Sequence, residues 1–146
     1  MNVRSIVVVA GAMLATACVA SDQASDMAPV ANNVAEDVGK ALYGKHCLTC
    51  HQADGYGVPN LQPAIVGGTW VGGDPRALAM FVLTGGFDSA SRKDGESHNV
   101  MPAFARLSDE DLAGILTFIR RKFGMGASPV NRADVAEART NLPQPQ

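Results

Sequence analysis

Two thiols and an imidazole stand within one short run, Cys47-Leu48-Thr49-Cys50-His51. On a helical turn positions i and i+3 share a face, so Cys47 and Cys50 can both meet the edge of one flat macrocycle. This is the attachment pattern of a c-type haem, in which each sulfur adds to one vinyl group of the porphyrin and the adjoining histidine reaches the iron. Two other uses of a Cys-x-x-Cys pair fit less well. A structural zinc site wants a second ligand pair at similar spacing, and none follows. A thioredoxin-like dithiol would sit in a strand-helix-strand pattern, whereas the flanks here read as helix and glycine-rich loop.

A length of 146 residues allows one domain with tails, enough chain to bury a core around a cofactor. The formal net charge of -2 gives no basic footprint, so nucleic acid is excluded as a partner. Part of the 47% hydrophobic content belongs to the first residues. Arg4, the apolar run from Ile6 to Leu14 and the small residues after it make residues 1–20 an export signal, with a run too short to span a bilayer. Cys18 has two readings. Leu14-Ala15-Thr16-Ala17-Cys18 resembles a lipobox whose cysteine becomes a lipid-modified amino terminus, although leucine stands one position too far away. Plain cleavage after Ala17 or Ala20 competes with it.

Residues 21–33 read as a flexible linker and 34–124 as the domain proper. Asn33 is predicted to cap a first helix, with Glu36 at its N3 position and Val38, Ala41 and Leu42 on one apolar face. The glycine- and proline-rich stretch from Gln52 to Gly73 reads as a wrapping loop. Asp74-Pro75 opens a helix that carries Leu78, Phe81 and Val82 inward and ends at Gly85-Gly86. A polar loop, Phe87 to Asn99, follows. Ser108 begins the clearest helix, with Leu112, Ile115, Leu116 and Ile119 at i, i+3, i+4 and i+7, basic residues in its last turn and Gly124 after it. The remainder, 125–146, is an extension with a short helix from Asn131 to about Arg139 lying against the outside.

An axial thioether could come from Met101, presented after a loop and followed by Pro102, which fixes the backbone beside it. Met80 falls in an apolar helical period and reads as packing. His98 is the rival sixth ligand, and would give a bis-histidine iron of lower potential. His46 reads as solvent-facing.

Together these residues resemble the class I cytochromes c. The resemblance covers roughly Val34 to Phe123: Gly39 and Tyr43 before the Cys-x-x-Cys-His run, a proline one loop later, a tryptophan, a Met-Pro pair and a carboxy-terminal amphipathic helix. Met101-Pro102-Ala103-Phe104 and Leu107-Ser108-Asp109-Glu110 are further similar to the small cytochrome c domains of periplasmic dehydrogenases and bacterial oxidases. The resemblance implies an all-α cytochrome c fold, three core helices plus a short C-terminal helix and long loops wrapped around one covalent haem. It implies axial ligation by His51 and Met101, thioether links at Cys47 and Cys50, and a Pro63 carbonyl that accepts the His51 N–H. Trp70 matches the tryptophan that hydrogen-bonds a haem propionate, and Gly39 and Tyr43 would cross the last helix near Ile115 and Phe118. In place of the lysine ring of mitochondrial relatives stand Arg92 and Lys93 opposed by Asp88, Asp94 and Glu96, so docking would rest more on apolar contact.

The expected function is one-electron transfer between redox proteins, a donor and an acceptor of the dehydrogenase, oxidase or reductase kind. The expected location is the bacterial periplasm, free or lipid-anchored through Cys18. A fixed electron-transfer subunit of a dehydrogenase or oxidase shares the same chemistry. A haem peroxidase would need an open sixth position with acid and base groups over it, which Met101 would close.

Overall fold

The structure, a computed structural model, describes residues 28–86 and 100–142, with side chains from Glu36 onward. The expectations placed on the export signal, Cys18, most of the linker, His98 and the charged residues at 88–96 lie outside the described residues. The described chain is helical, in the order α1 (Ala28–His46), α2 (Leu48–His51), α3 (Thr69–Gly72), α4 (Pro75–Leu83), α5 (Asp109–Phe123) and α6 (Arg132–Thr140). Its β structure, among those residues, is one isolated antiparallel bridge between Val58 and Gln62.

α5 is the central element. The Ser108 hydroxyl accepts from the Asp111 amide at 3.1 Å, and acidic residues fill the first turn and basic ones the last, which suits the helix dipole. The expected Leu112, Ile115, Leu116 and Ile119 are all buried, Leu112 at 0% exposure. Ala113, Thr117, Phe118 and Phe123 are buried too, because α1, α4 and α6 pack around most of its circumference. Each fully buried aliphatic side chain contributes about 2 kcal/mol of transfer free energy.

α1 crosses α5 at a pair of glycines. A Cβ on Gly39 would collide with the Gly114 carbonyl and come within 3.2 Å of Phe118 Cβ, so only glycine permits this approach. The close crossing fixes which face of α1 turns inward. Gly39 and Tyr43 are buried with Leu42 half-buried beside them, and Tyr43 lies against the rings of Phe118 at 5.3 Å and Phe123 at 5.8 Å. Val38, expected inside, is 48% exposed. The helix also begins earlier than the Asn33 cap implied, at Ala28 inside the stretch read as linker, with Pro29 in the first turn where a missing N–H costs nothing.

α4 starts as the sequence indicates: the Asp74 carboxylate accepts from the Arg76 and Ala77 amides, and Pro75 follows at N1. It ends at Gly85 and Gly86, both at positive φ. Leu78, Ala79, Val82 and Leu83 are buried, while Phe81 is half-buried and stacks on Trp70 at 5.0 Å. Trp70 stands on α3, a single turn within the stretch expected to be loop throughout.

α6 is more than an external strip. Val135 at 0% exposure and Ala138 join Val130 in the core, and the helix packs on α4 and α5. Asn131 and Asp134 form a reciprocal capping box at its start. Thr117, buried in α5, satisfies both polar groups of Val130: its hydroxyl donates to the Val130 carbonyl and accepts from the Val130 amide, each at 3.0 Å. Arg120 is buried at 2% exposure; its guanidinium donates to the Gly73 carbonyl at 2.8 Å, to the Ser128 carbonyl and to the Ser128 hydroxyl at 3.3 Å. A charge removed from water costs several kcal/mol unless oxygens replace its hydration. Those from the turn after α3 and from the tail after α5 do so here.

Candidate haem site

The Tyr43 carbonyl accepts from the Cys47 amide at 2.9 Å, so α1 runs almost directly into α2. α2 is a single turn closed by the His51 amide donating to the Cys47 carbonyl at 2.9 Å. That turn places both thiols and the imidazole together, each half-buried, with the cysteines free of any disulfide. Burial, and next the neighbouring Cys50, push the Cys47 thiol up to about 11, so it stays protonated at neutral pH. Tyr43 behind it is pushed to about 12, mainly by burial, and its hydroxyl donates to the Gln52 carbonyl at 2.7 Å. Gln52 has a φ of 61, an uncommon backbone for a non-glycine residue, and this bond holds it directly after His51.

His51 Nδ1 lies 3.2 Å from the Pro63 carbonyl oxygen. A carbonyl only accepts, so the contact assigns the proton to Nδ1 and leaves Nε2 with its lone pair. Burial lowers the His51 pKa and the Pro63 bond raises it, burial being the larger effect, so the ring is favoured neutral, the form that binds metals.

Gly57, which the sequence reading passed over as one glycine among many, makes that geometry possible. It has a φ of +67, and a Cβ there would collide with the Gln62 carbonyl and stand 2.7 Å from the Pro63 oxygen. Its amide donates to the His51 carbonyl at 3.2 Å, while the Val58–Gln62 bridge turns the chain back through Asn60, also at positive φ. The spacing of Gly55 and Gly57 beside a Pro-Asn turn was the available signal. His46, expected to face solvent, is half-buried with its ring edge-on to Phe104 at 6.2 Å.

Met101 is half-buried against the core on a segment without helix, and Trp70 is 40% exposed on its stack with Phe81. Pro63, Cys47, Cys50 and His51 are thus brought together directly. Met101 and Trp70 both lie beside α4: Trp70 stacks on its Phe81, and the Met101 backbone runs against Gly85, just after the helix.

The donor set suits a haem. Among the described residues no group of three or more His, Cys, Asp or Glu could hold a bare metal ion. One imidazole with a free Nε2 and one thioether suit a metal that brings its other four nitrogens with it. Two thiols on the turn that carries the imidazole suit covalent attachment of that macrocycle. Ile65, Val66, Met80, Phe81 and Phe104 are half-buried against the core and leave apolar surface that a macrocycle could cover.

Comparison with known proteins agrees. The family model for cytochrome c matches residues 37–122. The chain is 36% identical over 108 residues to the gluconate 2-dehydrogenase cytochrome c subunit of Pantoea cypripedii, covering 69% of this chain and 24% of that protein. It is 33% identical over 107 residues to the cytochrome c subunit of the quinone alcohol dehydrogenase of Gluconobacter oxydans, covering 71% and 22%. It is 30% identical over 124 residues to cytochrome c-552 of Thermus thermophilus, covering 77% and 82%. The chain therefore spans about a quarter of the dehydrogenase subunits it matches and most of cytochrome c-552. With a matched model over more than half its length and an all-α structure, the chain belongs to the cytochrome c family, the electron-transfer proteins that carry covalently bound haem c.

Proposed function

We propose that the chain is a one-electron carrier between redox proteins outside the cytoplasm, with Cys47 and Cys50 as the thioether links and His51 and Met101 as the axial ligands. The observation that carries this reading is the fixed His51 ring, its Nδ1 proton on the Pro63 carbonyl and its Nε2 lone pair free, on the same turn as both thiols. Bound there, the haem supplies an iron that cycles between ferrous and ferric states. The residues do the rest. The Pro63 carbonyl orients His51 and raises its basicity. A Met101 thioether would favour the reduced form of that iron and would occupy the position that a peroxidase keeps open for substrate. Apolar side chains around a bound haem, such as Ile65, Phe81 and Phe104, would disfavour the extra positive charge of its oxidised form. Trp70 is proposed to donate to a propionate, with Phe81 holding its indole in place.

The domain limits at 34 and 124, the export signal over residues 1–20 and the acylation or removal of Cys18 belong to the same proposal. No helix among the described residues is long and apolar enough to cross a membrane. A second reading, a fixed subunit of a dehydrogenase, is favoured by relatives that are themselves dehydrogenase cytochrome subunits. Recovery of the protein in fixed stoichiometry with a dehydrogenase from native membranes would select that reading.

The test of the haem assignment is an absorption spectrum of purified protein in both redox states, with the same spectra for Met101→Ala. A ferric sulfur-to-iron band near the far red is expected in the parent protein and not in the variant. The variant should also have a lower potential and bind added imidazole on the order of 100-fold more tightly. Identical spectra and ligand affinities in the two proteins would move the axial assignment elsewhere.

A further inference from the structure

The segment from Val100 to Leu107 carries Met101 without helix or strand of its own, so its backbone must be held from outside. Two neighbours hold it. On one side is the end of α4: the Phe104 amide donates to the Val82 carbonyl at 3.3 Å, and a Cβ on Gly85 would stand 2.7 Å from the Met101 oxygen and 2.9 Å from the Ala103 nitrogen. On the other side is Arg139 of α6. Its Nη1 donates to the Ala105 carbonyl at 2.6 Å, its Nη2 to the Leu107 carbonyl at 2.8 Å, and its Nε to Asp109 Oδ1 at 3.0 Å.

We infer that α6, through the forked guanidinium of Arg139, is the clamp that keeps the Met101 segment seated. The inference rests on the proposed role of Met101 as axial ligand. Arg139 is a positioning residue, acting on the iron only through the backbone it fixes.

The geometry gives the reason. A planar guanidinium can bridge two carbonyls and a carboxylate at once, which an ammonium on a flexible stem cannot do in the same directions. Asp109, in the first turn of α5, aims the fork, and both partners are more than half buried, so water screens the pair only in part. The other end of the clamp is fixed: Val135 and Ala138, on the same helix as Arg139, are fully buried against α4 and α5. A segment without regular structure opens locally at a free energy set by such ties, and an axial thioether leaves the iron when its segment opens. The family match ends at residue 122, so this control belongs to the part of the chain beyond it.

The test uses the holoprotein and its Arg139→Gln, Arg139→Lys and Val135→Ala variants. The readouts are the affinity of the ferric iron for added imidazole, hydrogen exchange at the Phe104 and Leu107 amides, and global unfolding. Arg139→Gln is expected to raise imidazole affinity about tenfold, because hydrogen bonds from a charged donor to the segment are lost, and to speed exchange at both amides. Arg139→Lys should fall between the two. Val135→Ala should lower global stability by cavity formation with a smaller change in imidazole affinity. An equal rise in affinity for Val135→Ala at equal loss of stability would reduce Arg139 to general packing and overturn the inference. In a Met101→Ala background, Arg139→Gln should add nothing; a further rise there would place its action elsewhere. If Met101→Ala opens the iron and Arg139→Gln does not, the clamp fails alone. If Met101→Ala changes nothing, the ligand assignment fails and takes the clamp with it.

Discussion

The crossing of α1 on α5 and the loop-built wall around His51 use the chain in opposite ways. At the crossing, glycine meets glycine, Tyr43 packs at a tilt against two phenylalanines, and the aliphatic residues of α5 vanish from solvent. Each side chain there finds its partner in the polypeptide. At the wall, the order comes from single hydrogen bonds, Pro63 to His51, Gly57 to His51 and Gln52 to Tyr43, and apolar groups of the loop such as Leu61 keep much of their surface, 44% for Leu61, in solvent. Such groups are what the proposed macrocycle would cover. The first region is built for stability and the second for fit. Substitutions in the two should therefore register in different measurements.

The widest separation is expected from replacing both Cys47 and Cys50 by serine. Covalent haem should disappear altogether from a denaturing gel stained for it, while the α1–α5 crossing, which uses neither thiol, should keep its helical signal in circular dichroism. Collapse of the helices in that variant would show that the two regions do not fold separately. Next comes Gly57→Ala, which combines a left-handed φ with a collision at two carbonyls. It should displace Pro63 from His51 and weaken the axial bond about 10–100-fold in competition with added ligand, by analogy with the loss of other orienting hydrogen bonds. Unchanged ligand competition would sink the role given to that loop.

Gly39→Ala acts on the other region. Overpacking against Gly114 should cost about 1–3 kcal/mol in denaturant unfolding, with the spectrum of the folded protein unaltered. Tyr43→Phe stands between the regions, keeping the tilted ring contacts and losing the bond to the Gln52 carbonyl. About 1 kcal/mol is expected, together with a small spectral shift. Val38→Ala should be the mildest, within about 0.5 kcal/mol, since half of that side chain is in water.

Where the chain signals its structure locally, the sequence was legible. Ser108 with Asp111, the apolar period of α5, and Asp74 followed by Pro75 each announce a helix through contacts inside that helix. The Cys-x-x-Cys-His turn is equally local. The inward face of α1 was legible only through the family resemblance, which implied that Gly39 and Tyr43 cross the last helix; hydrophobicity alone favours Val38, whereas the approach of Gly114 on a distant helix selects Gly39 and Tyr43. α6 was misjudged for a related reason: its polar composition suggests an outer strip, yet Val135 and Ala138 suffice to seat it in the core. The proposed ligands Cys47, Cys50, His51 and Met101 follow from type and spacing, whereas the sequence offers only a glycine-rich turn for Gly57. Its importance lies in two carbonyls that only the folded loop brings near.

Arg120 carries a consequence for anyone who would shorten this protein. Its guanidinium is solvated by oxygens on Gly73 and Ser128, and the second of these lies beyond the last residue that the family shares, 122. Trimming the tail to that shared boundary would remove both Ser128 partners of this cation together with Phe123, Val130, Val135 and Ala138, which close the core. The truncated product should emerge as aggregate, not as a smaller working carrier.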